Sequence, residues 1–158
     1  MLFAHAGMGL VAKKILPDFP TPVFIGAAYL PDILAAPFAL LPMLKINHVV
    51  WTHGLFMNSL WASLSFLITL IISRNIKLSI TMGLLVFSHW ILDFLSWPLI
   101  FMDAPLPPLF DSAVNVGLGT YSTYKGAVIG EIIGLLFVFL MVYLLKRSPV
   151  KSVKKAKR

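Results

Sequence analysis

Five apolar stretches organise this chain: residues 1–16, 21–36 with a proline-interrupted extension to 44, 54–73, 78–97 and 126–145. The last three are about 20 residues each. At 1.5 Å per residue that is enough to cross a hydrocarbon core of about 30 Å. The first two are about 16 residues, or about 24 Å, and would span a thinned region or pack as partial helices. Prolines mark the breaks: Pro17, Pro20 and Pro22 after the first stretch, Pro37 and Pro42 after the second, and Pro98, Pro105, Pro107 and Pro108 after the fourth. The pattern predicts an all-α, polytopic membrane bundle of about five helices, with one integral membrane domain over 1–145 and a basic tail over 146–158.

Composition agrees. The chain is 59% hydrophobic and 12% charged, against about 45–50% and about 25% in soluble domains. A domain of this size cannot bury such an excess internally, so lipid is its natural solvent. Cysteine is absent, which excludes disulfides, thiolate metal sites and Cys nucleophiles. The N-terminus lacks a basic leader pattern, and no cleaved signal peptide is expected.

Charge sets the expected orientation. Seven of the thirteen Lys and Arg lie in the tail from Lys146 to Arg158. A nucleic-acid reading of this tail is weaker than a cytoplasmic anchor that meets anionic lipid head groups, because an apolar span precedes it directly. No nucleic-acid partner is expected. With the tail inside, the N-terminus lies outside and eleven of the thirteen basic residues are cytoplasmic; only Lys45 and Lys125 fall outside. Trp51, Trp97, Tyr121 and Tyr124 then sit at the outer interface, as aromatic belts do. The chain is expected to lie in a membrane with its basic tail on the cytoplasmic side.

Six ionisable residues fall in or beside the apolar runs: His5, Asp32, His53, His89, Asp93 and Glu131. Each is costly in lipid, about 2.5–3.5 kcal/mol at the bilayer centre. Lys and Arg alone set the orientation, yet all six residues come out within about 15 Å of the outer surface. Their common depth predicts a shared site. His89 and Asp93 have i, i+4 spacing, so one helix face presents both. Imidazole with carboxylate suits zinc, manganese or iron, although the same pair also serves as a packing hydrogen bond. Asp32 after Pro31 could equally cap a helix, and His5, His53 and Glu131 could be satisfied packing residues. His48 is expected in the outer loop. Asp18, Asp103 and Asp111 fall in predicted loops, with Asp103 on the site side.

The ordered set His5, Leu30-Pro31-Asp32, Thr52-His53 and Ser88-His89-Trp90-Ile91-Leu92-Asp93 resembles the YdjM-type membrane proteins, described as LexA-binding, inner-membrane-associated metal-dependent hydrolases. Val116-Gly117-Leu118-Gly119-Thr120-Tyr121 followed by Glu131 fits the same resemblance. Gly54 departs from it, since Ser commonly follows that His in the family. The order of ligands is also similar to that of the soluble, all-helical zinc-dependent phospholipase C enzymes. That likeness implies one ion on Asp32, His53, His89 and Asp93, a second helped by His5 and Asp93, and a further one near Glu131. Together these expectations describe a hydrolase using one to three divalent ions, with zinc favoured. Its substrate would be a phosphoester of a lipid or lipid-linked compound in the outer leaflet. Asp32 or Glu131 would be the general base where not a ligand. Two other classes compete: a transporter or ion-handling protein built on the same cluster, and a scaffold held to a partner by its basic tail. The inner halves of the helices are almost purely apolar, which counts against a transport path.

Overall fold

The computed structural model describes residues 2–40, 48–96 and 123–147. They form seven helices and no strand: α1 (Leu2–Ile15), α2 (Thr21–Ala28), α3 (Leu30–Leu40), α4 (His48–His53), α5 (Leu55–Ser73), α6 (Ile76–Ser96) and α7 (Tyr124–Arg147). The expected all-α class is therefore observed among the described residues. The basic tail beyond Arg147, Asp103, Asp111 and the 116–121 motif lie outside them.

Among the described residues three helices, not five, are long and apolar enough to cross a membrane: α5, α6 and α7, with mean hydropathies of 1.9, 1.6 and 2.5 in their apolar windows. The expected first span is a helix of 14 residues, about 21 Å long and short of a full crossing. The expected second span is two helices. Pro31 has no N–H to bond the Ala27 carbonyl, so the ladder breaks; the Tyr29 N–H turns back to Ala27 and Ile25 instead. His48, expected in a loop, is the first residue of α4.

The side chains on the outer faces of the long helices are apolar and exposed. Ile71, Ile72, Leu136 and Phe139 are 76%, 79%, 61% and 70% exposed, a surface that water would penalise. The structure is thus consistent with an integral membrane protein. Of the three long helices, α6 is the most enclosed, with 44% of its apolar window buried against 11% for α5 and 17% for α7.

A tight turn joins α5 to α6 antiparallel. Arg74 takes a left-handed conformation (φ 50°) and its N–H closes on the Leu70 carbonyl. Asn75 then caps α6, its Oδ1 accepting the Leu78 N–H at 3.1 Å. α1 and α2 lie on the inner face of α6, where Ala12, Phe24, Ala27 and Ala28 join Leu78, Leu85 and Val86 in one core. Close approach of α1 to α2 depends on Gly9, because a Cβ there would stand 2.9 Å from Ile25 Cα and N.

This packing gives the bundle two chemically different ends. The turn end carries Arg74 and Lys77, together with the C-terminal end of α1, where Lys13 Nζ donates to the Pro17 and Phe19 carbonyls at 2.6 and 2.8 Å. The opposite end gathers His5 from the start of α1 and Asp93 from the last turns of α6. Separation of Lys13, Lys14, Arg74 and Lys77 from the His/Asp cluster is a property of the packed chain, independent of which side of a membrane each end faces.

Candidate metal centre

Five of the six expected residues meet at one point. His89 is the hub. Its Nε2 lies 3.1 Å from Asp93 Oδ2, one turn along α6, and 3.6 Å from Asp32 Oδ1 on α3. His53, closing α4, places Nε2 3.1 Å from Asp32 Oδ1 and 3.9 Å from Asp93 Oδ2. His5 places Nε2 3.6 Å from Asp93 Oδ1. Its ring lies 4.1 Å from that of His89, centroid to centroid, and 5.6 Å from that of Tyr29. The two Asp93 oxygens thus face different histidines, Oδ1 towards His5 and Oδ2 towards His89 and His53.

The ring orientations are set from behind. His89 Nδ1 lies 2.8 Å from the Ala28 carbonyl oxygen. A carbonyl only accepts, so Nδ1 carries the proton and Nε2 is directed at the two carboxylates. α2 ends at Ala28, so that carbonyl stands at a helix end beside the ring. The break before Pro31 starts the turn that carries Asp32 and leaves the Ala28 carbonyl at this end, where it orients His89. His53 also has a contact behind its ring, Nδ1 lying 2.6 Å from Thr52 Oγ1, a hydroxyl that can either donate or accept. Backing of this kind is typical of ligand histidines.

Burial makes the arrangement chemically demanding. His5, His89 and Asp93 are 4%, 1% and 3% exposed, whereas the Asp32 side chain is 49% exposed and forms the mouth. Lone pairs of imidazole facing carboxylate oxygens repel one another, and buried carboxylates are costly without counter-charge. A positive charge must lie between them, either as protons on the imidazoles or as a cation.

The distances suit a cation. Two groups have donor atoms close enough to share an ion: His5, His89 and Asp93, and Asp32, His53 and His89. Ligand atoms about 2.0–2.1 Å from a tetrahedral ion are about 3.3–3.4 Å apart. In the second group both imidazoles face one oxygen, Asp32 Oδ1, at 3.1 and 3.6 Å, and these bracket that edge; in the first, His89 and His5 face different Asp93 oxygens at 3.1 and 3.6 Å. His5 Nε2 also lies 3.4 Å from the His89 carbonyl oxygen, an acceptor suited to a proton. The group on Asp32, His53 and His89 is accordingly the firmer of the two.

Glu131 belongs to neither group. It sits on α7, and its Oε2 accepts the Phe3 N–H at 3.2 Å. That N–H is one of the free donors at the start of α1, where a carboxylate is favoured. Asp18 is exposed in the turn after α1, as expected of a solvated carboxylate. Ala28 and Thr52 were not among the expected site residues. Pro31 was the signal for a freed carbonyl near Ala28, but only packing could say which side chain would use it.

Compared with models of known families, with curated proteins and with solved structures, the chain matches none.

Proposed function

We propose that this chain is a membrane-embedded, metal-dependent hydrolase whose site opens towards the outer leaflet. One observation carries the reading: three histidines and two aspartates from four helices converge, with His89 and His53 each held from behind through Nδ1. The resemblance to YdjM-type membrane proteins supports the same class, and membership of that family is part of the proposal.

Asp32, His53 and His89 hold the principal ion, with Asp93 Oδ2 beside them. Asp93 Oδ1 and His5 serve a second position. Zinc is the favoured ion on donor chemistry, since imidazole and carboxylate oxygen are its usual partners without thiolate. When bound, such an ion supplies Lewis-acid charge and an activated water for ester hydrolysis. Asp32, half exposed at the mouth, is the carboxylate placed to meet substrate or take a proton. Lys13, Lys14, Arg74 and Lys77 share the turn end of the bundle, so the positive-inside bias directs that end to the cytoplasm and the cluster outward. At that depth the substrate is a lipid or lipid-linked phosphoester, and in the same orientation the basic tail rests on anionic head groups of a bacterial inner membrane.

The test is metal analysis of detergent-purified protein, wild type beside His89→Ala and Asp93→Ala, followed by incubation with mixed phospholipid vesicles. Bound zinc lost in both variants, together with zinc-dependent release of water-soluble phosphate esters by the wild type, is the expected result. Wild-type protein without metal would overturn the metal reading. Metal uptake into vesicles without lipid turnover would transfer the site to the transporter class.

A further inference from the structure

α5 carries one buried side chain among its described residues, and it is polar: Asn58, 0% exposed. Among the described residues neither Oδ1 nor Nδ2 of Asn58 has a hydrogen-bond partner, and Trp90 Nε1 on α6 is likewise buried without one. Other polar side chains on these two helices bond their own backbone. Ser59, Ser63, Ser73 and Thr81 donate to carbonyls four residues earlier at 2.6–2.9 Å, and Ser96 does so at 2.8 Å. An unbonded amide is costly in any interior, and more so at bilayer depth, where no solvent replaces the lost bond.

The helix register brings the two groups to one level. Gly83 faces α5 between Ala62 and Phe66, its Cβ position 3.1 Å from the Ala62 carbonyl oxygen and 3.2 Å from Phe66 Cβ. Trp90 is seven residues beyond Gly83, two turns along the same face of α6. Asn58 is four residues before Ala62, one turn along α5 in the same direction, because the helices are antiparallel. From the Gly83 level both positions lie about 9–10 Å nearer the His/Asp end, beside His89.

We propose that Asn58 and Trp90 form a binding site for one buried water molecule in the α5–α6 seam. Asn58 Nδ2 and Trp90 Nε1 donate, whereas Asn58 Oδ1 accepts. Water meets both demands at once, and three partners is the usual number for a buried water. Two N–H donors exclude a metal cation, and the amide oxygen disfavours an anion. The bound water ties α5 to α6 at the level of His89. It requires no metal and does not depend on the hydrolase reading.

Two measurements test it. With the indole nitrogens labelled, the Trp90 Nε1–H resonance, assigned by its loss in Trp90→Phe, is expected to show cross-relaxation with a long-lived water; absence of that signal overturns the site. Thermal unfolding in detergent of Asn58→Leu, Trp90→Phe and the double variant gives a second answer. Each single variant is expected to unfold at lower temperature, and the double variant's loss to be smaller than the sum, since either change releases the same water. A higher unfolding temperature for Asn58→Leu, the outcome for an apolar replacement of an empty seam, or strict additivity, overturns it. If Asn58→Leu does not fold, the wild-type resonance decides alone.

Discussion

The His89 imidazole donates from Nδ1 to the Ala28 carbonyl at 2.8 Å, which links the chemistry of α6 to a helix break in another part of the chain. Pro31 makes that break. Replacing Pro31 with Ala restores an N–H at position 31 and lets α2 run on into α3. The Ala28 carbonyl is then drawn into a helical ladder and Asp32 turns away from His53. Metal affinity is expected to fall about 10–100-fold, the usual cost of losing an outer partner of a ligand, measured by competition with a chromogenic chelator. Unchanged affinity would mean that the Ala28 contact does not orient His89.

Asp93 and Asp32 should differ in consequence. Asp93 is buried and faces all three histidines, while Asp32 lies half exposed at the mouth and faces two. Asp93→Ala is expected to abolish binding and to lower stability by about 3–5 kcal/mol, because any remaining buried charge is left uncompensated. Asp32→Ala removes the carboxylate of the principal site from a half-exposed position, so loss of that ion with near-normal stability is expected. Equal losses of stability in the two variants would contradict this ranking.

Metal binding should depend on pH with a definite sign. Each Nε2 binds an ion only when it carries no proton, so acid releases metal and alkali restores it. Metal content measured across a pH series is expected to fall steadily towards acid. Retention of full occupancy at about pH 4 would argue that carboxylates alone hold the ion.

Glu131 offers a test between two roles. As the acceptor of the Phe3 N–H, it tolerates Glu131→Gln, which retains a carbonyl oxygen, better than Glu131→Ala. The expected costs are a few tenths of a kcal/mol for Gln and about 1 kcal/mol for Ala, read from thermal unfolding, with metal content unchanged in both. Loss of metal in Glu131→Gln would return Glu131 to the ligand set.

Gly9 and Gly7 separate rigid from yielding contacts. A Cβ on Gly9 meets the Ile25 backbone at 2.9 Å, whereas one on Gly7 meets the Val138 side chain, at 2.5 Å from Cγ2. Backbone cannot rotate away. Gly9→Ala is expected to cost about 1–3 kcal/mol and to disturb the α1–α2 packing that sets His5 beside His89. Gly7→Ala should cost less. Equal unfolding temperatures would place the close approach elsewhere.

Much of this was legible in the chain. The runs at 54–73, 78–97 and 126–145 became α5, α6 and α7 with ends shifted by at most two residues or so, because continuous apolar composition in lipid leaves the helix as the one structure that satisfies its own backbone. The i, i+4 spacing of His89 and Asp93 placed both on one face, now seen as a 3.1 Å contact. The short runs read less well. Length alone suggested spans at 1–16 and 21–36, but a helix of 14 residues and a break at Tyr29 followed. Local pattern does not say whether a short apolar helix crosses the bilayer or packs inside a bundle.

The sequence by itself determined that the chain is helical and strongly apolar, and it set His5, Asp32, His53, His89 and Asp93, with Glu131, at one expected depth. Those features follow from composition and helical rise, which are local. The tertiary structure alone decided that these five converge while Glu131 caps α1, that Ala28 and Thr52 orient the imidazoles, and that Asn58 and Trp90 are left unbonded at one level of the α5–α6 seam. Common depth is one coordinate. Contact needs the rotation of each helix and the identity of its neighbours, and those come from packing between segments distant in the chain.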